Sequence, residues 1–290
     1  MLYLRTSCGG AYTLISVVAL IVPMNPLVIT QRPAAHKSVV DAVIVVRIYS
    51  DDKARWTRYE LSQWVRYMEF AGVDSIYLYD CHMTDHESLK QWALNYPTIV
   101  YTDWGKYNHP YTLQGTQVRA YQHAIDTFGA RSEWQIAFDM DEYPFSPIDT
   151  TKNWLVRMIQ KLASPGITEL SVLNYLFIGK NTTGDEWVLE RIDRRTRARA
   201  NRLDKPIYRP AFVRAGVHHN VIKRGASVDI NPNLLRMNHY WGMRLQNWGA
   251  PCADDTTCLS AKQLLMKTVE DRSAVHMASL IKSTTLAEIG

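Results

Sequence analysis

Residues 134–142 read Trp-Gln-Ile-Ala-Phe-Asp-Met-Asp-Glu, an apolar run that ends in three acidic side chains. The apolar part has the composition of a short buried strand, and Pro144 and Pro147 predict that regular structure stops soon afterwards. Side chains two positions apart on a strand point to the same face, so Asp139 and Asp141 are expected to converge on one spot. Such a pair suits a Mg²⁺ or Mn²⁺ ion that bridges to a diphosphate, and the plainer alternative is a solvated acidic turn.

Strands and helices alternate in the chain ahead of this stretch. Strands rich in β-branched and aromatic residues are predicted at residues 39–48, 75–80 and 98–101. Helices with apolar spacing are predicted between them, at about residues 61–72, 85–94 and 114–128. This rhythm predicts an α/β fold with a doubly wound, mostly parallel sheet flanked by helices.

The carboxyl ends of parallel strands form the ligand-binding edge of such a sheet. Arg47, Asp80 and the pair formed by Asp139 and Asp141 lie at the ends of predicted strands, so all four should gather there. Arg47 and Asp80 are suited to gripping a nucleotide, and Gln117 could reach the base from its predicted helix.

The second half of the chain is less regular. Further strands are predicted at residues 170–177, 211–213 and 234–237, and an amphipathic helix at residues 259–281. We expect a single catalytic domain at residues 38–250, preceded by segment 1–37 and followed by a loop and helix at 251–290.

Segment 1–37 has the pattern of a secretory signal followed by a short stem. Residues 11–22 are apolar throughout, but they are shorter than the roughly 20 residues that span a bilayer. The segment predicts a signal peptide or, if it continues through Pro23 and Pro26, a single-pass signal anchor. We expect a luminal domain held at the Golgi membrane, with secretion as the alternative.

Two local motifs agree with a luminal location. Asn181-Thr182-Thr183 is an acceptor pattern for N-glycosylation. Cys252 and Cys258 enclose a small polar loop that a disulfide could close, and their spacing does not suit zinc.

The formal net charge of +5 suits a protein that handles anionic phosphates as well as one that binds nucleic acid. Arginines are dense at residues 191–202, but Asp193 and Asp204 lie among or beside them and no nucleic-acid-binding module is recognisable. We therefore expect a solvated basic face and no nucleic-acid partner.

Four stretches of the chain resemble glycosyltransferase family 92. They are residues 60–80, a glutamine-led helix that begins at Gln117, the Asp-x-Asp-Glu core at 139–143, and a series at 205–210, 217–218 and 238–240. They follow the family's order and together cover about residues 40–242. Tyr143 stands where Phe is commoner in the family, and the first half also resembles the broader group of family-2-like glycosyltransferases.

The resemblance implies a GT-A-type fold and a metal-dependent transferase. Such an enzyme moves a sugar, with galactose the donor suggested, from a UDP-sugar to a glycan acceptor with inversion. Asp139, Asp141 and His239 would be the metal ligands, with Asp139 also facing the ribose. A carboxylate and imidazole set favours Mn²⁺, with Mg²⁺ as the other choice. The metal would neutralise the charge that grows on the departing nucleoside diphosphate.

The resemblance also implies roles for the cationic and acidic residues of the second half. Lys205 would clamp the diphosphate, Arg209 would support it, and His218 would contact the nucleotide sugar. Glu142 would orient the acceptor or hold Asp141, unless it is a plain structural acid. Asp185 or Glu186 would be the catalytic base, with Trp187 as a platform on which a sugar stacks.

Two other functions stay open on the sequence. A phosphohydrolase could use an aspartate pair, although such enzymes place the pair near the first strand and follow it with Thr or Val. A non-catalytic glycan-binding or interaction protein could keep the same fold, and the intact acidic pair, Lys205 and His239 argue against it.

Overall fold

The computed structural model describes residues 28–30, 37–48, 57–107, 113–177, 186–197, 203–240 and 268–289. Its strands are β1 (Val28–Thr30), β2 (Ser38–Val46), β3 (Ile76–Asp80), β4 (Ile99–Asp103), β5 (Ser132–Ala137), β6 (Glu142–Phe145), β7 (Ile167–Val172), β8 (Asn174–Leu176), β9 (Arg194–Thr196), β10 (Lys205–Tyr208), β11 (Val213–Arg214), β12 (Val221–Ile222), β13 (Ala226–Asp229), β14 (Arg236–His239) and β15 (Thr268–Glu270). Its α-helices are α1 (Arg58–Ala71), α2 (Lys90–Ala93), α3 (Arg119–Phe128), α4 (Trp154–Leu162), α5 (Val188–Arg191) and α6 (Ser273–Ile289). Short 3₁₀ segments lie at Gly105–Tyr107 and Pro210–Phe212, and a π-helical segment at Leu113–Val118.

The central sheet has eight strands in the order β1-β4-β3-β2-β5-β10-β7-β13. Strands β4, β3, β2 and β5 are parallel, β10 is antiparallel to both of its neighbours, and β1 is antiparallel to β4. A second sheet of three strands, β6-β14-β8, lies beside it. The prediction of a single α/β domain with a large, mostly parallel sheet flanked by helices is confirmed.

Both faces of the central sheet are apolar and covered. Ala42 and Ile44 of β2 belong to the larger core cluster, which also contains Trp64 of α1. Val43, between them, belongs to a second cluster with Ala124 of α3. Alternate side chains of a strand point to opposite faces, so α1 and α3 cover opposite sides of the sheet.

Helix α1 has the ends that its sequence predicts. Thr57 and Glu60 form a capping box at its start, which satisfies backbone N–H groups that have no helical partner. Gly72 ends the helix with φ at 101°, a left-handed conformation that favours glycine. These ends fix where the chain leaves the carboxyl end of β2 and where it returns to begin the parallel strand β3.

Several elements differ from the predictions. The helix expected at residues 85–94 shrinks to Lys90–Ala93, because the carboxylate of Asp80 holds the backbone N–H of Leu89 in a loop. Pro144 does not end regular structure, since β6 is an edge strand that tolerates a missing N–H. Helix α4 was not predicted.

The second half shows further differences. The strand expected at residues 170–177 is divided into β7 and β8, and the strand expected at 211–213 is largely a 3₁₀ turn followed by β11. The helix expected at 259–281 is wrong at Thr268–Glu270, because this segment pairs with β9 as β15. Helix α6 begins only after Asp271, whose carboxylate accepts the backbone N–H of Ser273.

The fold extends beyond the predicted domain bounds of 38–250. Strand β1 precedes them and joins the central sheet, and α6 follows them and buries Ala274, Met277 and Ile281 in the larger core cluster. In the described part of the chain, no helix has the length and apolar character needed to cross a membrane. The predicted signal at residues 11–22, Asn181, and the Cys252 and Cys258 loop lie outside the described residues.

Candidate active site

The acidic stretch forms a tight turn between the two sheets. The chain leaves β5 after Ala137, and the backbone N–H of Glu142 donates to the carbonyl of Asp139 at 2.9 Å. Strand β6 then begins at Glu142 and joins the second sheet. Asp139 and Asp141 therefore lie on a turn rather than along one strand, and their carboxylates have different partners.

Asp139 lies in a cluster built from three elements. The ammonium group of Lys205, at the start of β10, is 2.9 Å from Oδ2 of Asp139. The amide of Gln117, in the π-helical segment, donates to Oδ1 at 2.7 Å. The same amide donates to the hydroxyl of Tyr121 at 2.7 Å. A π-helical turn shifts side chains relative to a regular helix and is often found at functional sites, and here it brings Gln117 to Asp139.

Glu142 contacts both Asp139 and Lys205 in this cluster. Its side chain is only 2% exposed, and Oε2 accepts the backbone N–H of Asp139 at 2.8 Å. The same oxygen is 3.2 Å from the ammonium of Lys205. Burial raises the pKa of Glu142, and the charge of Lys205 opposes that shift. These contacts make Glu142 a structural support of the turn, and its orientation of the acceptor stays a prediction.

Lys205 is fully enclosed, with none of its side chain exposed. Burial works to lower its pKa, but Asp139 and Glu142 outweigh burial and raise it. Lys205 therefore keeps its charge and directs it at two carboxylates. Its ammonium faces the protein's own acids, and its role as a diphosphate clamp stays a prediction.

Asp141 and His239 form a second, deeper pair. Nε2 of His239 lies 3.1 Å from Oδ2 of Asp141, and both side chains are at most 5% exposed. Strand β14 places His239 beside Asp141, because β14 pairs with β6 so that His239 lies opposite Glu142, the residue after Asp141. Within the described residues, no three or more His, Cys, Asp or Glu side chains are grouped as metal ligands. The structure brings Asp141 and His239 together, whereas Asp139 turns toward Lys205.

His218 lies close enough to this site to be affected by its charges. Burial and then the charge of Lys205 lower its pKa to about 4, against the opposing charge of Asp139. The imidazole is consequently neutral at physiological pH. The role of His218 in contacting the nucleotide sugar stays a prediction.

Arg47 and Asp80 have structural partners at the same edge of the sheet. Arg47 makes two hydrogen bonds to the carboxylate of Glu87, at 2.9 and 3.0 Å. Asp80 is fully buried and accepts hydrogen bonds from the N–H of Leu89 and the hydroxyl of Tyr101. Both residues organise the loop after β3, and their contacts with a nucleotide stay a prediction.

Arg209 lies at the opposite edge of the sheet from Asp139. Strand β10 is antiparallel to β5, with Tyr208 opposite Gln135, so the chain runs away from the site after Lys205. The guanidinium of Arg209 stacks over Trp134, with 4.3 Å between Cζ and the ring centroid. The prediction that Arg209 supports Lys205 at a diphosphate is wrong, because strand direction separates them.

The predicted catalytic-base segment is described in part. Asp185 lies outside the described residues, and Glu186 is exposed just before α5. Trp187 is 5% exposed and belongs to the larger core cluster, so it is not the sugar platform that was expected. The side-chain oxygen of Gln63, Oε1, accepts a hydrogen bond from the backbone N–H of Val188 at 2.9 Å, which attaches this segment to α1.

The site belongs to a chain whose sequence matches a known family over most of its length. The family model described as glycosyltransferase family 92 matches residues 51–271. The chain belongs to glycosyltransferase family 92. Membership of family 92 supports glycosyl transfer, a reaction that requires a sugar donor and an acceptor. No curated protein matches the chain by sequence.

Family 92 membership places both clusters inside the matched region. Two residues that contribute to these clusters were not predicted from the sequence. Tyr121 lies one helical turn after Gln117 and shares its amide, a spacing that the sequence does contain. Trp64 donates its indole N–H to the carbonyl of Glu142 at 3.0 Å, a contact between distant residues that no local pattern reveals.

Proposed function

We propose that this member of family 92 is a metal-dependent hexosyltransferase. It moves a sugar, with galactose the first candidate, from a UDP-sugar to a glycan acceptor with inversion at the anomeric carbon. The observation that carries the proposal is the Asp141 and His239 pair, which lies at the same turn as the polar cluster around Asp139. A phosphohydrolase receives no support from family membership.

Asp141 and His239 are the proposed protein ligands of a divalent cation. One carboxylate oxygen and one imidazole nitrogen at the same position favour Mn²⁺ over Mg²⁺. Ions of this kind are commonly held by one or two side chains and completed by substrate phosphates and water. The two residues therefore fit a cation whose other ligands are diphosphate oxygens. When bound, the ion would neutralise charge on the departing diphosphate.

The cluster around Asp139 is the proposed site for the nucleotide sugar. The side chain of Asp139 is 26% exposed although Lys205 and Gln117 bond to it. A partly exposed carboxylate, held rigidly from behind, is suited to accept hydrogen bonds from ribose hydroxyl groups. The neutral imidazole of His218 supplies a further polar group at this cluster.

The transfer itself needs few further groups. The acceptor oxygen bonds to the anomeric carbon while the bond from that carbon to the diphosphate breaks, and its electron pair leaves with UDP. A carboxylate on the acceptor side takes the hydroxyl proton. Asp185 and Glu186 remain the proposed bases, and loss of turnover in Asp185→Asn or Glu186→Gln, with UDP affinity kept, would identify which one acts.

The decisive experiment measures nucleotide binding with and without metal. We expect UDP to raise the thermal unfolding temperature in the presence of Mn²⁺ and to do so weakly without it, because bound ligand stabilises the folded state. The change Asp141→Asn should remove the metal-dependent part of the shift and abolish transfer. The matched control is Asp229→Asn, an exposed acid on β13, which should behave as wild type.

The outcomes separate the functions. Transfer from a panel of nucleotide sugars to mixed glycan acceptors identifies the donor. A protein that binds glycan but no nucleotide is a binding protein rather than an enzyme. Full transfer activity of the Asp141→Asn protein would overturn the metal assignment.

The proposed location is the lumen of the Golgi, with the apolar residues 11–22 as anchor and Asn181 as a glycosylation site. Support for this location comes from the sequence. Protection of the expressed protein from added protease in sealed microsomes, together with a mass shift on deglycosylation, would test it. Complete digestion of an unglycosylated chain would contradict it.

A further inference from the structure

The turn that carries His218 is closed by its own residues. This turn, residues 215–220, joins β11 to β12. The backbone N–H of Gly216 donates to Oδ1 of Asn220 at 2.9 Å, which ties the two ends together. A Cβ atom at Gly216 would lie 1.9 Å from the carbonyl oxygen of His219, so the turn closes this tightly only with glycine.

The turn is also attached to the body of the fold at both ends. The N–H of Ala215 donates to the side-chain oxygen of Gln122, on α3, at 3.0 Å. At the other end Asn220 donates to Glu169, on β7, through its side-chain amide at 2.8 Å and its backbone N–H at 3.4 Å. His218 lies between these two attachments.

Glu169 is an unusual residue for a purely structural role. It is 2% exposed, and its remaining oxygen accepts the hydroxyl of Ser227 at 2.9 Å. No cationic side chain lies within salt-bridge distance of Glu169 in the described part of the chain. Burying a carboxylate with neutral partners alone is costly. Burial and then the charge of Glu169 raise the pKa of Tyr208, its neighbour on β10.

We propose that Glu169 is a positioning residue, which acts through Asn220 to hold the 215–220 turn and thereby fixes the position of His218. The inference rests on the proposed function for the role of His218 in binding the nucleotide sugar. The positioning itself depends only on the contacts described. Glu169 touches no substrate, and its effect passes entirely through the turn.

The test compares two variants that each remove a hydrogen bond from the same carboxylate. Asn220→Ala removes the side-chain bonds that join the turn to Gly216 and to Glu169, and Ser227→Ala removes a bond to Glu169 that does not involve the turn. We expect Asn220→Ala to shift the Hε1 resonance of His218 in the proton NMR spectrum and to weaken UDP binding about tenfold. Ser227→Ala should leave both unchanged. Equal effects of the two variants would overturn the proposal.

A double-mutant cycle separates positioning from general loss of stability. In a His218→Ala protein, Asn220→Ala should cause no further loss of UDP affinity, since the side chain that the turn presents is already absent. Additive losses would contradict the proposal. Glu169→Gln, which keeps the size of the side chain, should shift the His218 resonance in the same direction as Asn220→Ala.

The proposed function and this inference fail in distinguishable ways. If wild-type protein binds no UDP, the proposed donor is wrong, yet the His218 resonance still reports whether Asn220 positions the imidazole. If UDP binds with metal but Asn220→Ala leaves the resonance in place, the donor site stands and the positioning role is refuted.

Discussion

The most constrained single residue of the site is Lys205, whose charged group is enclosed by protein. Its ammonium has Asp139 at 2.9 Å and Glu142 at 3.2 Å, and none of its side chain is exposed. Removing one partner of a buried ion pair leaves an uncompensated charge. At this position two carboxylates would lose their only common cation.

Replacing Lys205 by methionine should therefore lower the free energy of unfolding by about 3–5 kcal/mol. The measurement is urea denaturation followed by tryptophan fluorescence. The matched control is Lys282→Met, because the side chain of Lys282 is 39% exposed in its ion pair with Glu190. An exposed pair contributes about 0–1 kcal/mol, so the control should change little. Equal losses in the two proteins would show that burial does not set the strength of the Lys205 contacts.

The positions of individual site residues could be predicted where they follow from the local sequence pattern. Asp139 and Gln117 meet at the carboxyl edge of the central sheet, because the ends of parallel strands and the helices that follow them share that edge. Arg209 was misplaced because the antiparallel direction of β10 is set by pairing with β5 and β7, which no local sequence records. Trp187 was misplaced because burial depends on α1 and α6 packing over it.

At the scale of elements, helix α1 shows how end signals fix a boundary. Gly72 ends the helix at φ 101°, and an added Cβ would lie 2.8 Å from Cγ2 of Val156 on α4. Gly166 also has a positive φ, of 85°, but nothing lies within 4 Å of its added Cβ. A side chain at either glycine would strain the backbone, but only at Gly72 would it also press against another helix.

Gly72→Ala should accordingly destabilise the protein more than Gly166→Ala. The Gly166 change carries the backbone penalty, which is about 1 kcal/mol for a non-glycine residue in this region. The Gly72 change adds the cost of overpacking against α4, typically about 1–3 kcal/mol. Chemical denaturation of both variants measures the difference. A smaller effect at Gly72 would mean that α4 moves aside freely.

Helices and strands agree with the sequence-based predictions where capping residues mark their ends. They differ where contacts with residues distant in the sequence decide the structure. The capping box and Gly72 predict α1, whereas α4 begins at Trp154 after Asn153, which has a positive φ and no side-chain cap. Strand β6 contains a proline and forms only because β14 pairs with it from far along the chain. Part of the helix expected at residues 259–281, Thr268–Glu270, is a strand because it pairs with β9, and residues 259–267 lie outside the described residues.

At the scale of the whole molecule, Asp271 links the start of α6 to strands of two smaller sheets, β9-β15 and β6-β14-β8. Its carboxylate bonds to Arg195 of β9 and to Arg236 of β14, the latter at 2.7 Å. Burial opposes the ionisation of Asp271. Hydrogen bonds from Ser273 and Arg195 and the charge of Arg236 outweigh burial, and the pKa is lowered from the model-peptide value of 3.8.

Because the pKa of Asp271 is lowered in the folded state, the sign of the change in unfolding free energy with pH is fixed. The ionised carboxylate stabilises the fold above about pH 4, and this contribution disappears as pH falls through the folded pKa. Asp271→Asn, which cannot ionise, should be less stable than wild type at pH 7, and the difference should shrink below about pH 4. The measurement is the unfolding free energy across pH, with the exposed neighbour Glu270→Gln as control. A difference that stays constant with pH would refute the role of the charge.

The order of strands in the central sheet was only partly predictable at this scale. The β-α alternation before Asp139 obeys short-range rules, and its parallel strands have the expected neighbours. The insertion of β10 between β5 and β7 depends on contacts across more than sixty residues, between Ile207 and Ile136 for example. Such pairings place Lys205 at Asp139, and they follow from the fold rather than from any short segment.

The direction of β1 decides which rim of the central sheet its first residue occupies. β1 is antiparallel to β4, and Val28 lies opposite Thr102, beside the carboxyl end of that strand. Any group joined to the chain directly ahead of Val28 would therefore be attached at the rim where the sugar donor is proposed to bind.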